Sequence, residues 1–215
     1  MKIVVQKFGG TSVTDDRHRE MAAEKIIKAK QDGYSPVVVI SAMGRKGAPY
    51  STDTLLNLVK SISDELDKRD LDLLLSCGEI ISCAVMCSTI KSKGAACTIL
   101  TGGQAGIITN DDFGSASVIK VETERMLGVL KNGIIPIVAG FQGQTADGEI
   151  TTLGRGASDA TAAILGEALQ AEQIQIFTDV DGIMTADPNI VSDARVIKSM
   201  TYNEVFQFAD QGAKV

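Results

Sequence analysis

"MKIVVQKFGGTSVTDD" (residues 1–16) reads as a strand, a glycine turn and a helix start. Ile3, Val4 and Val5 form a β-branched apolar run of the kind that fills a buried strand. Gln6, Lys7 and Phe8 continue it, and Gly9–Gly10 break it. Thr11, Asp15 and Asp16 then offer side chains that start a helix. A lysine is a costly residue in such a strand. Its position directly ahead of two glycines makes Lys7 the first candidate functional residue.

The same order of elements recurs along the chain. Apolar runs at 2–8, 37–42, 95–100, 134–139 and 173–177 read as strands buried on both faces. Helical spacing covers 16–31, 54–67, 71–91, 123–131 and 157–169, with Gly33 and Gly133 placed to end two of these helices. "QTADGEITT" (144–152) reads as a hairpin that turns at Asp147 and Gly148. Buried strands alternating with amphipathic helices predict an α/β fold: a mostly parallel central sheet sandwiched between helices. "TYNEVFQFADQGAKV" (201–215) reads as a helix, a glycine and the start of another element, so a chain truncated at its C-terminus is expected.

Composition narrows the functional classes. Apolar residues make up 44% of the 215, enough for the core of a large α/β domain. No stretch of about 18 uncharged apolar residues is present, which argues against a membrane span. The formal charge of −6, with no long basic run, argues against nucleic-acid binding. Cys77, Cys83, Cys87 and Cys97 have neither zinc-knuckle nor CxxC spacing and read as reduced core thiols. With no signal-peptide pattern, the expected location is cytoplasmic. His18 reads as a surface residue, and "SDELDKRDLD" (63–72) as a solvated helix–helix junction.

Four glycine- or hydroxyl-rich loops follow strands: "FGGTS" (8–12), "SAMGRKG" (41–47), "TGGQAG" (101–106) and "GRGASDA" (154–160). In open α/β sheets ligands collect beyond the carboxyl ends of strands. Glycines let backbone N–H groups approach a phosphate, and helix N-termini favour anions. A P-loop places its lysine after the glycines and a dinucleotide fingerprint needs GxGxxG, so neither applies. The pattern is a phosphate site of another design.

Six segments in order, "KFGGTSV" (7–13), "SAMG" (41–44), "LLLSCGE" (73–79), "VAGFQG" (138–143), "TTLGRGASD" (151–159) and "FTDVDGIMTADP" (177–188), resemble the aspartate kinase family of the amino acid kinase superfamily. The resemblance runs from Met1 to Val215. It implies a carbamate-kinase-like fold and one catalytic domain over 1–215, with the nucleotide side from about 150 onward. The amino-acid-sensing ACT modules of that family have no counterpart in the sequence. The implied reaction moves the γ-phosphoryl group of ATP to the β-carboxylate of L-aspartate, the first step toward lysine, threonine and methionine. Mg²⁺ is expected to ride mainly on the nucleotide phosphates with few protein ligands, and a homo-oligomer is expected. The alternatives are a superfamily member acting on glutamate, acetylglutamate, carbamate or a nucleotide monophosphate, or a non-catalytic nucleotide-binding module.

The resemblance also distributes roles. Lys7 reaches the transferring phosphoryl group, with the N–H groups of Gly9 and Gly10 on the phosphates. Asp159 orients the lysines, although by itself an aspartate there reads as a helix cap. Arg155 grips the substrate α-carboxylate as a bidentate guanidinium, with Gly156 and Ser158 completing the pocket. Glu79 pairs with the substrate ammonium; from the residues alone it reads equally as a helix-start carboxylate. Ser41, Ala42, Thr52 and Phe141 fall on the substrate side. Thr178, Asp179, Met184 and Lys214 fall on the ATP side. Met184 stands where an aromatic often covers adenine, and Asn189 where an arginine is usual.

Overall fold

The computed structural model describes residues 1–63, 65–154, 156–179, 182–186, 191 and 193–210. They divide into two units, Met1–Phe177 and Thr178–Val215.

In the first unit, strands β1 (Ile3–Phe8), β2 (Ser35–Ile40), β3 (Cys97–Leu100), β6 (Ile135–Ala139) and β9 (Gln173–Phe177) form one sheet in the order β3-β6-β2-β1-β9. Every pairing in it is parallel. Alternate residues serve opposite faces. Val38 and Ile40 join Phe8, Ile137 and Met86 on one side, while Val37 and Val39 join Val5, Val138 and Leu165 on the other. The first side is covered by α1 (Asp16–Gln31) and α3 (Lys68–Ser92), the second by α4 (Glu124–Lys131) and α5 (Ala157–Ala168). A parallel sheet with both faces covered needs the near-continuous apolar strands that the sequence supplies.

A second, mixed sheet has the order β5-β4-β7-β8, from β4 (Ile107–Thr109), β5 (Val118–Val121), β7 (Gln142–Gln144) and β8 (Ile150–Thr152). Its β7–β8 pair is the hairpin at 144–152, with Gly148 at φ 90° in the turn. The other two strands, β4 and β5, are too short to show a period. α1 starts at Asp15, whose carboxylate accepts from the His18 N–H, and ends at Gly33 with φ 88°.

Several expectations are corrected. β9 is the sheet edge, not a strand buried on both faces; Ile174 and Ile176 are exposed. The helix expected over 54–67 is α2 (Thr52–Lys60), capped by Ser51, because residues 61–63 are all exposed and have no face to bury. α3 begins earlier than expected, so Asp72 is not in a solvated junction but is buried. α3 is also long and apolar enough in composition to cross a membrane, yet ten of its residues are buried within the unit. Cys83, Cys87 and Cys97 are buried free thiols, whereas Cys77 is exposed on α3.

"TGGQAG" (101–106) is corrected as well: its glycines serve packing. A Cβ on Gly102 would stand 1.9 Å from the Gln142 carbonyl oxygen, and one on Gly106 1.9 Å from that of Glu122.

In the second unit Met184 and Val196 form an antiparallel bridge. α6 (Tyr202–Asp210) opens on a capping box, in which the Thr201 N–H donates to Glu204 at 2.7 Å and the Glu204 N–H to Thr201 Oγ1 at 3.3 Å.

Gly102→Ala is expected to lower the unfolding free energy by about 1–3 kcal/mol through overpacking. Gly128→Ala, inside α4 with open space at its Cα, is expected to raise it by about 0.5–1 kcal/mol. Urea midpoints at unchanged slope measure both.

Candidate active site

The carboxyl ends of β1, β2 and β6 open onto a cleft of about 570 Å³. Three loops and three helices supply its walls. Lys7 and Gly10 come from the end of β1, Ser41 and Ala42 from the end of β2, and Phe141 from the end of β6. Thr52 opens α2, Glu79 stands on α3, and Gly156, Ser158 and Asp159 form the start of α5. The structure thus brings ten of the residues singled out in the sequence into one cavity.

Lys7 is buried, and its Nζ lies 2.8 Å from Asp159 Oδ1. A buried ammonium needs such a partner. Asp159 reaches it because Gly156, at φ 76°, lets the chain turn sharply into α5, and Asp159 is that helix's third residue. It makes no capping bond there. Phe141 also holds a left-handed backbone, φ 70°. Its N–H donates to Thr161 Oγ1 at 3.1 Å and its carbonyl accepts from Leu153 at 2.9 Å. Such strain is maintained where surrounding bonds over-determine it.

Glu79 is 2% exposed and stands in the middle of α3, so the helix-start reading is corrected. Oε1 accepts from the Ala42 N–H at 3.1 Å. Among the described residues, Oε2 is buried without a partner. Burial pushes the carboxyl up to about 8, against smaller lowering effects from its own backbone N–H and that of Ala42. A buried acid facing a cleft with one oxygen unsatisfied is suited to an incoming cation.

Gly10 permits close approach of two loops, since a Cβ there would stand 2.4 Å from the Ala42 carbonyl oxygen. Gly9 is corrected as a phosphate donor, because its N–H donates to the Phe177 carbonyl at 3.2 Å. Thr178, Asp179 and Met184 lie in the second unit, where Thr178 Oγ1 donates to Asp179 at 3.4 Å. Arg155, Asn189 and Lys214 lie outside the described residues. Among the described residues no group of three or more acids, cysteines or histidines is placed to hold a metal ion.

Sequence reasoning missed several lining residues. Arg45, Lys46 and Lys60 add cations, and Ser51 and Asp53 frame the start of α2. Asp72 and Thr152 line the cleft on the other side. Asp72 lies seven residues before Glu79, two helical turns along one face, a spacing that marks it in the sequence once both share a helix.

Residues 2–215 match the profile of the amino acid kinase family, and the chain belongs to that family. Over its whole length it is 52% identical to aspartokinase 1 of Bacillus subtilis (strain 168) and 47% to the aspartokinase of Geobacillus stearothermophilus, covering 53% and 52% of those proteins. The chain thus spans about half the length of these curated relatives. Among solved structures, aspartate kinase from Synechocystis matches 99% of this chain with a TM-score of 0.83 at 39% identity, over 34% of its own chain. E. coli aspartokinase III, in complex with aspartate and ADP, matches 99% with a TM-score of 0.82 at 28% identity, over 57% of its own chain. The expected amino acid kinase fold is therefore present.

Glu79→Gln removes an acid that the folded state prefers to keep protonated. A folded pKa raised above the unfolded value of 4.5 stabilises below 4.5 and loses that contribution as pH rises toward 8. The variant is expected to melt above the parent at about pH 8, with the gap closing toward about pH 5. Paired melting curves across that range measure it.

Proposed function

We propose that the protein containing this chain is an aspartate kinase, converting MgATP and L-aspartate to ADP and 4-phospho-L-aspartate. The observation that carries the reading is the pairing, in one cleft, of a buried lysine held by Asp159 with a buried, half-satisfied Glu79. An anion and a cation both find complements there, which fits a zwitterionic substrate beside a phosphoryl group. Aspartokinase relatives at 47–52% identity, and a solved neighbour holding aspartate and ADP, support it.

In this reading Glu79 takes the substrate ammonium, and Arg155, with Gly156 and Ser158, takes its α-carboxylate. Ser41, Ala42, Thr52 and Phe141 complete the substrate side. One β-carboxylate oxygen attacks the γ-phosphorus in line, the P–O bond to ADP breaks, and the electron pair leaves with ADP. Lys7 offsets charge on the transferring oxygens, and Asp159 holds the ammonium in place beforehand. Catalysis of this kind is mostly positioning and charge stabilisation. Mg²⁺, carried on the phosphates, neutralises part of their charge. Thr178, Asp179, Met184 and Lys214 are assigned to ATP, and Gly10 to the phosphate side. The location is cytoplasmic, the assembly a homo-oligomer, and the product feeds lysine, threonine and methionine synthesis.

A second reading, another acceptor within the family, is separated by substrate panel. Acyl phosphate trapped with hydroxylamine is expected from L-aspartate and MgATP, using this chain and a form extended past Val215. Lys7→Ala is expected to lower kcat by at least about a hundredfold, the scale for removing a charge that stabilises the transition state. Product from glutamate or carbamate in place of aspartate would replace the reading, and tight ATP binding without turnover in either form would mark a binding module.

Because Glu79 is protonated in the empty cleft near neutrality, binding a cation requires its proton to leave. Aspartate affinity is expected to rise from about pH 6.5 to about pH 8.5. Calorimetric titrations of the parent and of Glu79→Gln, which should bind weakly at every pH, measure it.

A further inference from the structure

Asp72 is 1% exposed, and its carboxylate accepts from three donors in two other segments. Oδ1 accepts from Thr152 Oγ1 at 2.7 Å. Oδ2 accepts from the Thr152 N–H at 2.8 Å and from the Gly114 N–H at 2.9 Å. Thr152 is the last residue of β8, and its carbonyl accepts from the Ala116 N–H at 2.8 Å. One acid therefore ties α3, β8 and the loop after β4 at a single point.

That point is part of the cleft lining. On α3, Asp72 and Glu79 are seven residues apart and share a face, and both line the cavity. From Thr152 the chain runs on to Gly154, Gly156, Ser158 and Asp159, which line the same cavity. The span from the pin to the start of α5 is five residues, and Gly154 and Gly156 within it have φ 87° and 76°. Gly154 and Gly156 are placed relative to Glu79 by what holds their neighbours: the Asp72 bonds to Thr152 and the Leu153 N–H bond to the Phe141 carbonyl on one side, the Lys7–Asp159 ion pair on the other.

We propose that Asp72 is a positioning residue for the acceptor substrate: through Thr152 it fixes the separation between Glu79 and the cleft residues Gly154, Gly156 and Ser158. The inference rests on the aspartate kinase reading, since it concerns the pocket that holds the acceptor. Asp72 is assigned no contact with a reacting atom: both of its carboxylate oxygens are already engaged by Thr152 and Gly114. Loss of the pin loosens one wall against the other, so a ligand gripped at both ends is affected and one held elsewhere is not. Small displacements of positioning groups have large kinetic effects.

The test uses the extended form of the protein and two exchanges at the partner. Thr152→Val keeps shape and backbone N–H but loses the hydroxyl, whereas Thr152→Ser keeps the hydroxyl. Thr152→Val is expected to raise KM for L-aspartate about tenfold, the scale of one hydrogen bond to a charged group, with KM for MgATP within about twofold. Thr152→Ser is expected to stay within about twofold for both. Asp72→Asn is expected to shift the two constants as Thr152→Val does, and the double variant to be no worse than Asp72→Asn alone. A fall in melting temperature with KM for aspartate unchanged, or an equal rise in both KM values, would overturn the proposal and leave Asp72 a structural residue. If the unsubstituted protein makes no acyl phosphate from aspartate, the functional reading itself fails and the proposal falls with it.

Discussion

Lys7 lies in β1, hydrogen-bonded into the sheet between β2 and β9, where water has little access. A charge there is tolerable only with a counter-charge at contact distance. The fold supplies one through its own connectivity. β9 runs parallel to β1, so the helix preceding it runs the other way and begins at the carboxyl end of the sheet. Asp159, in the first turn of that helix, meets Lys7 at 2.8 Å. The central sheet, the sharp glycine entry to α5 and the cleft at the strand ends are thus mutually dependent. An ion pair sheltered in this way keeps the ammonium at a fixed place until a more strongly charged ligand competes for it.

Sequence and structure agree where burial is the same on every strand. β1, β2 and β6 alternate strictly between two cores, and their apolar runs say so without ambiguity. β9 alternates glutamine with isoleucine over Gln173–Ile176 and ends the sheet, so its polar positions already argue against burial on both faces. Two kinds of glycine were also alike in sequence. Gly156 permits a backbone turn, whereas Gly102 permits the carbonyl of another strand to come close. Only the neighbouring atoms distinguish the two.

The site was legible through its charged residues in apolar surroundings. Lys7 and Glu79 stand out because each sits among residues that exclude water. Asp72 did not stand out, since the run "SDELDKRDLD" surrounds it with other charges and hides the helix face it shares with Glu79. Burial of the acid depends on donors from Gly114 and Thr152, which lie 42 and 80 residues away in the chain. Long-range partners of that sort leave no local signature.

α3 carries one further property. Of the four cysteines, Cys77 alone is exposed, two residues from Glu79, while Cys83, Cys87 and Cys97 are at most 6% exposed. Burial raises the Cys83 thiol well above its ordinary value and pushes Cys97 up to about 12, which further protects both from electrophiles. The native chain therefore offers a single natural attachment point for a thiol-directed fluorophore or spin label. It lies on the helix whose other face holds the candidate acceptor site, so a reporter can be placed there with no engineered cysteine and none of the native ones removed.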